Sequence, residues 1–322
     1  MQIKTWKRAK KALFADKNTV KISPKGRIVV GKSIFKHTKA FWVFVAPCVI
    51  LFSVFFLLPL VLSIGFSLTD YDGWRRMNFT GFDNYRRIFQ DVNFYGSLRR
   101  TFVYTIFSLP FRIIFPLLAA LVLSASRITL KGLSRTMAYI PVLLSSLVVG
   151  ITINWMFSQE YGLVNFIFSS IGFAPLQWAL NPALATFVIS FAANWASLGF
   201  FMIIFIGGLT NISLELYEAA YIDGANDTQA FFKITLPLLK PTMFLVILLS
   251  TINLMKEYAL IQGITQGGPG LRTTYIIQYI FDRGFKQMEY GIASAISFVT
   301  MIIFALIAYL QFRVNKGGEV AE

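Results

Sequence analysis

The chain has 322 residues, of which 56% are hydrophobic, and it carries a formal net charge of +15. Because a water-soluble domain of this size is rarely so apolar, the composition indicates a protein that lies in a membrane. A single cysteine, Cys48, and a single histidine, His37, exclude a disulfide within the chain and any catalytic or metal site that needs several such side chains.

Residues 1–39 form a basic tail that contains ten lysines together with Arg8 and Arg27. Within it, residues 26–33 read GRIVVGKS, which matches the pattern of a phosphate-binding loop. Such a loop works between a buried strand and a helix of an α/β domain, and a membrane span follows too soon for such a domain to form. The match is therefore interpreted as coincidence, and the tail is expected to be attracted to anionic lipid at about 1 kcal/mol per charge.

Six apolar runs are long enough to cross a membrane, because a spanning helix needs about 20 residues. Backbone groups in lipid must be hydrogen-bonded within the segment, so each run is predicted to be a helix. The expected fold is an all-α polytopic protein with a six-helix domain at 40–316 and a short tail at 317–322. The predicted spans are Phe41–Leu68, Thr101–Ser124, Leu133–Phe157, Leu184–Leu209, Pro241–Gln262 and Tyr290–Phe312.

The distribution of lysine and arginine predicts the orientation. The basic tail favours a cytoplasmic amino terminus, and six spans return the carboxyl terminus to the same side. The stretch 158–183 has no lysine or arginine and fits an external loop. The loop at 69–100 is an exception, since it is predicted to be external and yet contains six arginines.

The connection at 210–240, between the fourth and fifth spans, is predicted to be cytoplasmic and to form two short helices. Ser213 can cap the first helix, and Glu215 and Glu218 lie near its positively polarised start. Gly224 allows a sharp change of direction that a residue with a Cβ would resist.

The second short helix also has recognisable ends. Asn226 or Asp227 can cap its start, and Pro237 is expected to end it. Pro241 is suited to be the first residue of the next span.

The run YEAAYIDGANDTQAFFKITLPLLKP in this connection resembles the EAA loop of the permeases of type I ABC importers. In that family the loop docks into a groove on a separate ATPase subunit and moves when the ATPases close. The resemblance implies that Glu218 reaches a basic group on the ATPase and that Gly224 acts as an elbow. The residues that it assigns to coupling are Glu218, Ala219, Ala220, Asp223, Gly224, Ala225, Ile234, Leu236 and Pro237.

Other segments are similar to carbohydrate permeases of the maltose and glycerol-phosphate types, among them Gly81 to Tyr85, Gly150 to Trp155 and Gly267 to Pro269. The resemblance implies a transport subunit, not an enzyme, in a bacterial cytoplasmic (inner) membrane. Its expected partners are a second homologous permease subunit, two ATP-binding cassette ATPases and an extracytoplasmic solute-binding protein. It implies no cofactor on this chain, with ATP and Mg²⁺ on the ATPases, and no nucleic-acid partner.

Charged residues inside spans cost about 2.5–3.5 kcal/mol each, so they usually face a cavity or a partner. Lys256 and Glu257 are adjacent in the predicted fifth span, where maltose-type permeases carry cavity-lining asparagines. A lysine on the pathway would suit an anionic sugar such as a uronate, and the permeases of alginate importers fit this pattern best. A structural salt bridge remains the alternative. Arg112, in the second span, can snorkel to an interface or pair with Glu257.

Asn194 and Phe201, in the fourth span, fall where sugar permeases place cavity-lining residues, and an ordinary packing role is the alternative. The candidate pathway residues are therefore Asn194, Phe201, Asn253, Lys256 and Glu257.

The external loop at 263–289 contains Gly267, Gly268 and Pro269, which by family analogy would contact the solute-binding protein together with Arg86 and Arg87. A solvated turn is the alternative there. For the whole chain, a secondary transporter or channel that needs no ATPase is the other hypothesis. It predicts a cluster of intramembrane carboxylates, whereas Glu257 is the one clear candidate in the predicted spans.

Overall fold

The computed structural model describes residues 20–22, 28–30, 38–75, 77–124, 130–178 and 180–314. The chain divides into two compact units, residues 1–62 and 63–322. In the first unit, strands β1 (Val20–Ile22) and β2 (Ile28–Val30) pair antiparallel with Val20 opposite Val30. Most of the rejected phosphate-loop match at 26–33 lies outside the described residues.

All other named elements of the described residues are helices, which confirms the predicted fold class. The α-helices are α1 (Thr38–Phe52), α2 (Leu58–Ser67), α3 (Asp83–Gln90), α4 (Val92–Ser124), α5 (Lys131–Tyr139), α6 (Ser146–Met156), α7 (Leu163–Ser170), α8 (Pro182–Thr210), α9 (Leu214–Ile222), α10 (Asp227–Ala230), α11 (Leu236–Leu238), α12 (Lys240–Met255), α13 (Ala259–Ile264), α14 (Ile276–Phe281) and α15 (Tyr290–Val314). Three π-helical segments, Ser53–Leu57, Phe231–Thr235 and Asp282–Lys286, and a 3₁₀ segment, Ile140–Leu143, connect some of them.

The described residues contain four continuous helices long and apolar enough to cross a membrane, and two bent pairs that raise the number to six if each pair is one span. The continuous ones are Trp42–Ser67, Val92–Ser124, Pro182–Thr210 and Tyr290–Val314. The bent pairs are Lys131–Leu143 with Ser146–Met156, at 94°, and Asp227–Leu238 with Lys240–Met255, at 64°. At 1.5 Å per residue the 33 residues of α4 measure about 50 Å, so this helix extends beyond a hydrocarbon layer of about 30 Å.

The prediction of one straight third span was wrong. Pro141 lies in the 3₁₀ segment that follows α5, and Leu144 and Ser145 are both extended before α6 begins. Because proline has no N–H, Pro141 cannot donate a helix hydrogen bond and weakens the helix here. Such a break cannot be predicted from apolar composition alone.

The prediction that the fifth span runs to Gln262 was also wrong. Helix α12 ends at Met255, and Tyr258, with φ −136° and ψ −56°, precedes the separate helix α13. Lys256 and Glu257 therefore lie in a break between two helices and not within one continuous helix.

Helices α4 and α8 form the centre of the second unit. One apolar cluster packs them against α6, α12 and α13 through Tyr104, Ile153, Ile189, Leu254 and Ile261. A second joins them to α12 through Leu117, Phe201, Phe205, Leu239 and Val246, and a third packs α3 and α4 against α14 and α15 through Ile88, Phe94, Ile276, Tyr279 and Ile296.

Two glycines allow helices α6 and α13 to approach closely. A Cβ added at Gly150 in α6 would lie 2.9 Å from the Cα atom of Gly263 in α13, and one added at Gly263 would lie 2.8 Å from the Cα atom of Gly150. Small residues at such crossings let helix backbones pack tightly in membranes, where lipid offers no hydrophobic driving force.

Candidate coupling loop and transport pathway

The first helix of the loop at 210–240 is α9, and its start is capped as predicted. The hydroxyl of Ser213 accepts a hydrogen bond from the N–H of Glu215 at 3.3 Å, which satisfies one of the free donors of the first turn. Glu218 and Ala219 are exposed and Ala220 is half-buried, so this helix offers the carboxylate of Glu218 to a partner.

The elbow after α9 is built by Gly224. The N–H of Ala225 bonds to the carbonyl of Ala220 at 2.9 Å, and Gly224 has φ +83°, the left-handed geometry of a helix carboxyl-terminal cap. A Cβ at Gly224 would meet no atom within 4 Å, so glycine is favoured here by backbone conformation and not by lack of space. Asp223, beside it, is exposed.

The second helix of the loop starts at Asn226 with a full capping box. The Asn226 side chain accepts from the N–H of Gln229 at 2.8 Å, and the Gln229 side chain accepts from the N–H of Asn226 at 3.0 Å. Of the two predicted caps, the structure uses Asn226.

The second helix ends at Leu238, one residue after the predicted stop at Pro237. The chain continues helically through the π segment Phe231–Thr235 and through α11, and it turns only at Leu239 before α12 begins at Lys240 with Pro241 in its first turn. The wider π turn just before the proline removes the need for its missing N–H. Ile234, Leu236 and Pro237 are half-buried along this stretch.

Two tyrosines of α9 bind the two halves of the loop together, which the sequence did not predict. The hydroxyl of Tyr217 shares a hydrogen bond of 2.8 Å with that of Thr235, which is buried in the π segment. The hydroxyl of Tyr221 donates to Asp227 at 3.0 Å, and this bond to a carboxylate raises the pKa of Tyr221. Thr235 lies five residues before α12 begins, so the bond from Tyr217 joins α9 to the segment that leads into the fifth span.

Asn194 and Phe201 lie in α8 and both contact Arg112 of α4. The Arg112 Nε–H donates to Asn194 Oδ1 at 3.2 Å, and its guanidinium carbon lies 5.8 Å from the centre of the Phe201 ring. The second donor of Arg112 reaches the carbonyl of Ala193 at 2.6 Å. Asn194 is 7% exposed, Phe201 0% and Arg112 4%, so all three are buried.

Arg112 ends a buried polar stripe along α4 that sequence reasoning missed. Tyr104, Ser108 and Arg112 recur at every fourth residue and are all buried, so they lie on one face of the helix. The hydroxyl of Ser108 donates to that of Ser190 in α8 at 2.8 Å. The spacing of these polar residues within an apolar run was the available signal.

Lys256 and Asn253 are exposed at the end of α12, whereas Glu257 is half-buried. The Glu257 Oε1 atom accepts a hydrogen bond from the N–H of Leu260 at 3.3 Å, so Glu257 caps the first turn of α13. Among the described residues no carboxylate makes an ion pair with Lys256 or with Arg112. Glu257 nevertheless interacts electrostatically with Arg112.

The residues expected to contact a binding protein lie in two different settings. Arg86 and Arg87 are exposed on α3, where Arg87 pairs with Asp83 at 2.9 Å. Gly267 is buried, and Gly268 and Pro269 are half-buried in a turn held by the hydroxyl of Thr273, which donates to the Gly268 carbonyl at 2.7 Å.

A charged network near these segments was not predicted. Arg283 pairs with Asp91 at 2.6 Å and with Glu289 at 2.8 Å, and Tyr279 bonds to Asp91. Burial alone would raise the pKa of Asp91, but hydrogen bonds from Tyr279, Arg283 and the Asn93 N–H outweigh it and lower that pKa below its usual range. Burial and the Asp91 carboxylate together raise the pKa of Tyr279 to about 12.

Comparison with known proteins agrees with this architecture. Residues 92–317 match the family model described as the inner membrane component of binding-protein-dependent transport systems. The lactose transport system permease LacF of Rhizobium radiobacter is 33% identical, covering 84% of this chain and 92% of LacF. The trehalose/maltose transport system permease MalF of Thermococcus litoralis is 31% identical, covering 89% of this chain and 97% of MalF.

Among solved structures, a bacterial ABC transporter involved in the import of the acidic polysaccharide alginate contains a similar chain. Its TM-score is 0.77 at 23% identity, covering 88% of this chain and 97% of that one. The six-helix fold, the capped loop at 210–240 and these matches together show that the chain belongs to the family of inner membrane components of binding-protein-dependent transport systems.

Proposed function

We propose that this chain is one permease subunit of an ATP-driven importer of sugars or oligosaccharides, with a preference for anionic ones, in a bacterial cytoplasmic membrane. The observation that carries the proposal is the loop at 210–240. It presents an exposed Glu218 on a capped helix and turns at Gly224, and Tyr217 bonds α9 to Thr235 in the segment that leads into the fifth span. A loop of this form suits a surface that receives force from another protein and passes it to a spanning helix.

The proposed assembly contains a second homologous permease, two ATPase subunits and an extracytoplasmic solute-binding protein. One such loop serves one ATPase, so a pair of permeases accounts for a pair of ATPases. Both termini are placed in the cytoplasm, and α3 with Arg86 and Arg87 is placed outside, where exposed charges can steer the encounter with a binding protein.

Two observations support an anionic sugar as the cargo. The relatives are named for lactose and for trehalose and maltose, and the related structure is of a transporter for an acidic polysaccharide. Lys256 is exposed at the end of α12 and makes no ion pair among the described residues, so its charge is available to an anionic sugar. A uronate oligosaccharide therefore fits better than maltose.

Uptake by vesicles tests the proposal. The chain is co-purified with its permease and ATPase partners, reconstituted into proteoliposomes with the binding protein outside, and given labelled oligouronate or labelled lactose with ATP or a non-hydrolysable analogue inside. Uptake is expected only with hydrolysable ATP and the binding protein. Transport by this chain alone, without ATP, would instead establish the secondary-transporter hypothesis.

The same vesicles test the role of Lys256. We expect Lys256→Ala to lower the uptake of oligouronate more than that of lactose, because only the acidic sugar loses an attractive charge. An equal effect on the two sugars would refute the role of this lysine in the pathway.

A further inference from the structure

A groove with an aromatic wall opens between α4 and α8, with a volume of about 290 Å³. Its polar members are Asn194 and Ser190, and the remaining lining residues are apolar. Six aromatic side chains line it: Phe107, Phe111 and Phe115 from α4, and Phe187, Phe191 and Trp195 from α8. Each of them is between 37% and 50% exposed, so their rings are open to whatever enters the groove.

Arg112 lies directly behind this wall. Its Nε–H fixes Asn194 Oδ1 at 3.2 Å, which leaves the Asn194 amide N–H groups for other acceptors. Those groups make long bonds of 3.3 Å to the Ser190 hydroxyl and 3.4 Å to the Ser108 carbonyl. The lining residue Asn194 is thus held as a hydrogen-bond donor by a buried cation.

The charge of Arg112 is not neutralised by a direct contact. Both of its hydrogen bonds go to neutral oxygens, on Asn194 and Ala193, and no described carboxylate lies within ion-pair distance. Glu257 and Tyr104 are the groups that interact with it electrostatically. A cation held in this way within a membrane protein is expensive unless an anion or an aqueous cavity compensates it.

These observations fit one kind of ligand unit. The negative faces of aromatic rings attract the C–H faces of a sugar ring. The positive potential of Arg112, acting through the Asn194 amide, attracts the carboxylate of an acidic sugar and has little effect on the binding of a neutral sugar. The groove is close in size to the smaller known ligand pockets, so it suits one sugar unit of a longer cargo.

We infer that Arg112 is a specificity-determining residue that selects acidic sugar units in the groove between α4 and α8 by positioning and polarising Asn194. The inference rests on the proposed function, since it assigns a site to the cargo proposed there. Arg112 acts as a positioning residue, and Asn194 contacts the sugar by exchanging one of its two long bonds, to Ser190 or to Ser108, for a bond to the sugar carboxylate.

The test compares acidic with neutral cargo in the complete importer described above. Oligouronate and lactose are supplied to vesicles that contain the wild-type chain, Arg112→Gln or Arg112→Lys, and the ratio of kcat/KM for the two cargoes is measured. Arg112→Gln keeps hydrogen-bond donors but removes the charge, and it is expected to reduce the ratio about tenfold, or by about 1.4 kcal/mol. Arg112→Lys restores most of the preference because it restores the charge.

Two further variants make the result decisive. Asn194→Asp places a carboxylate of nearly the same shape against Arg112, which neutralises the buried charge without leaving it unpaired, so the acidic preference is expected to fall even if Arg112→Gln does not fold. Arg313→Gln removes an exposed arginine at the carboxyl-terminal end of α15, which has no assigned role in the pathway, and serves as the control for general loss of positive charge.

The outcomes separate the two proposals. A wild-type importer that carries no sugar overturns the proposed function and this inference with it. Active importers in which Arg112→Gln or Asn194→Asp lowers the uptake of both cargoes equally, or of neither, overturn only the role of Arg112.

Discussion

Replacing Gly199 with alanine is expected to push two helices apart. A Cβ at this position of α8 would lie 2.4 Å from the Ala138 carbonyl oxygen and 2.6 Å from the Tyr139 Cα atom, both in the backbone of α5. Carbon atoms pack best at about 3.5–4.0 Å, so the backbones must separate by about 1 Å. Overpacking of this kind costs about 1–3 kcal/mol.

Gly207 of the same helix is the matched control, because a Cβ there would meet nothing within 4 Å. Each glycine-to-alanine change gains up to about 1 kcal/mol of helix propensity, and this gain cancels when the two variants are compared. Gly199→Ala is therefore expected to unfold with a free energy about 1–3 kcal/mol below that of Gly207→Ala, as measured by thermal unfolding of both proteins in one detergent. Equal stabilities would refute the close approach of α5 and α8.

Three other perturbations address the loop at 210–240 and the charged network around Arg283. Gly224→Val forces a β-branched residue to φ +83° and is expected to uncouple ATP hydrolysis from uptake in vesicles, with the affinity for the binding protein unchanged. Gly224→Asn is the control, because asparagine tolerates this conformation and is expected to retain coupling. Tyr217→Phe removes the bond to the buried Thr235 and is expected to reduce the stimulation of ATP hydrolysis by loaded binding protein at least several-fold, while Tyr221→Phe, which loses only an exposed bond, has little effect. Folding lowers the pKa of Asp91, so this carboxylate stabilises the folded state above its unfolded pKa of about 3.9, and the stabilisation is lost as the pH falls through the folded pKa. The melting temperature is therefore expected to fall more steeply between pH 6 and pH 3 in the wild type than in Asp91→Asn.

The features that sequence predicted correctly depend on local chemistry. Ser213 and Asn226 cap helices because each side chain bonds to an N–H two or three residues ahead, which needs no other part of the fold. Gly224 takes a positive φ for an equally local reason. Four of the six predicted spans are continuous helices long enough to cross a bilayer, because the length of an apolar run is also a local property.

The features that sequence missed depend on residues distant along the chain. Tyr217 meets Thr235 only because the elbow folds α9 back toward the fifth span. Arg112 was considered as a partner for Glu257, but the helix that packs against it brings Asn194 and Ala193 within bonding distance instead. The sequence pattern of one segment does not predict which other helix will pack against it.

The interruption of the fifth span and the buried charge of Arg112 are related through Glu257. The 16 residues of α12 measure about 24 Å, which is less than a hydrocarbon thickness of about 30 Å, so the break at Lys256 lies within membrane depth if α12 starts at the inner boundary. Irregular backbone at that depth is tolerated only where protein buries it or where it lines an aqueous cavity. Glu257 lies in this break, caps α13 and interacts electrostatically with Arg112. A continuous helix would leave no free N–H at Leu260 for Glu257 to cap, so the break that composition did not predict is what holds this carboxylate in the region of the buried guanidinium.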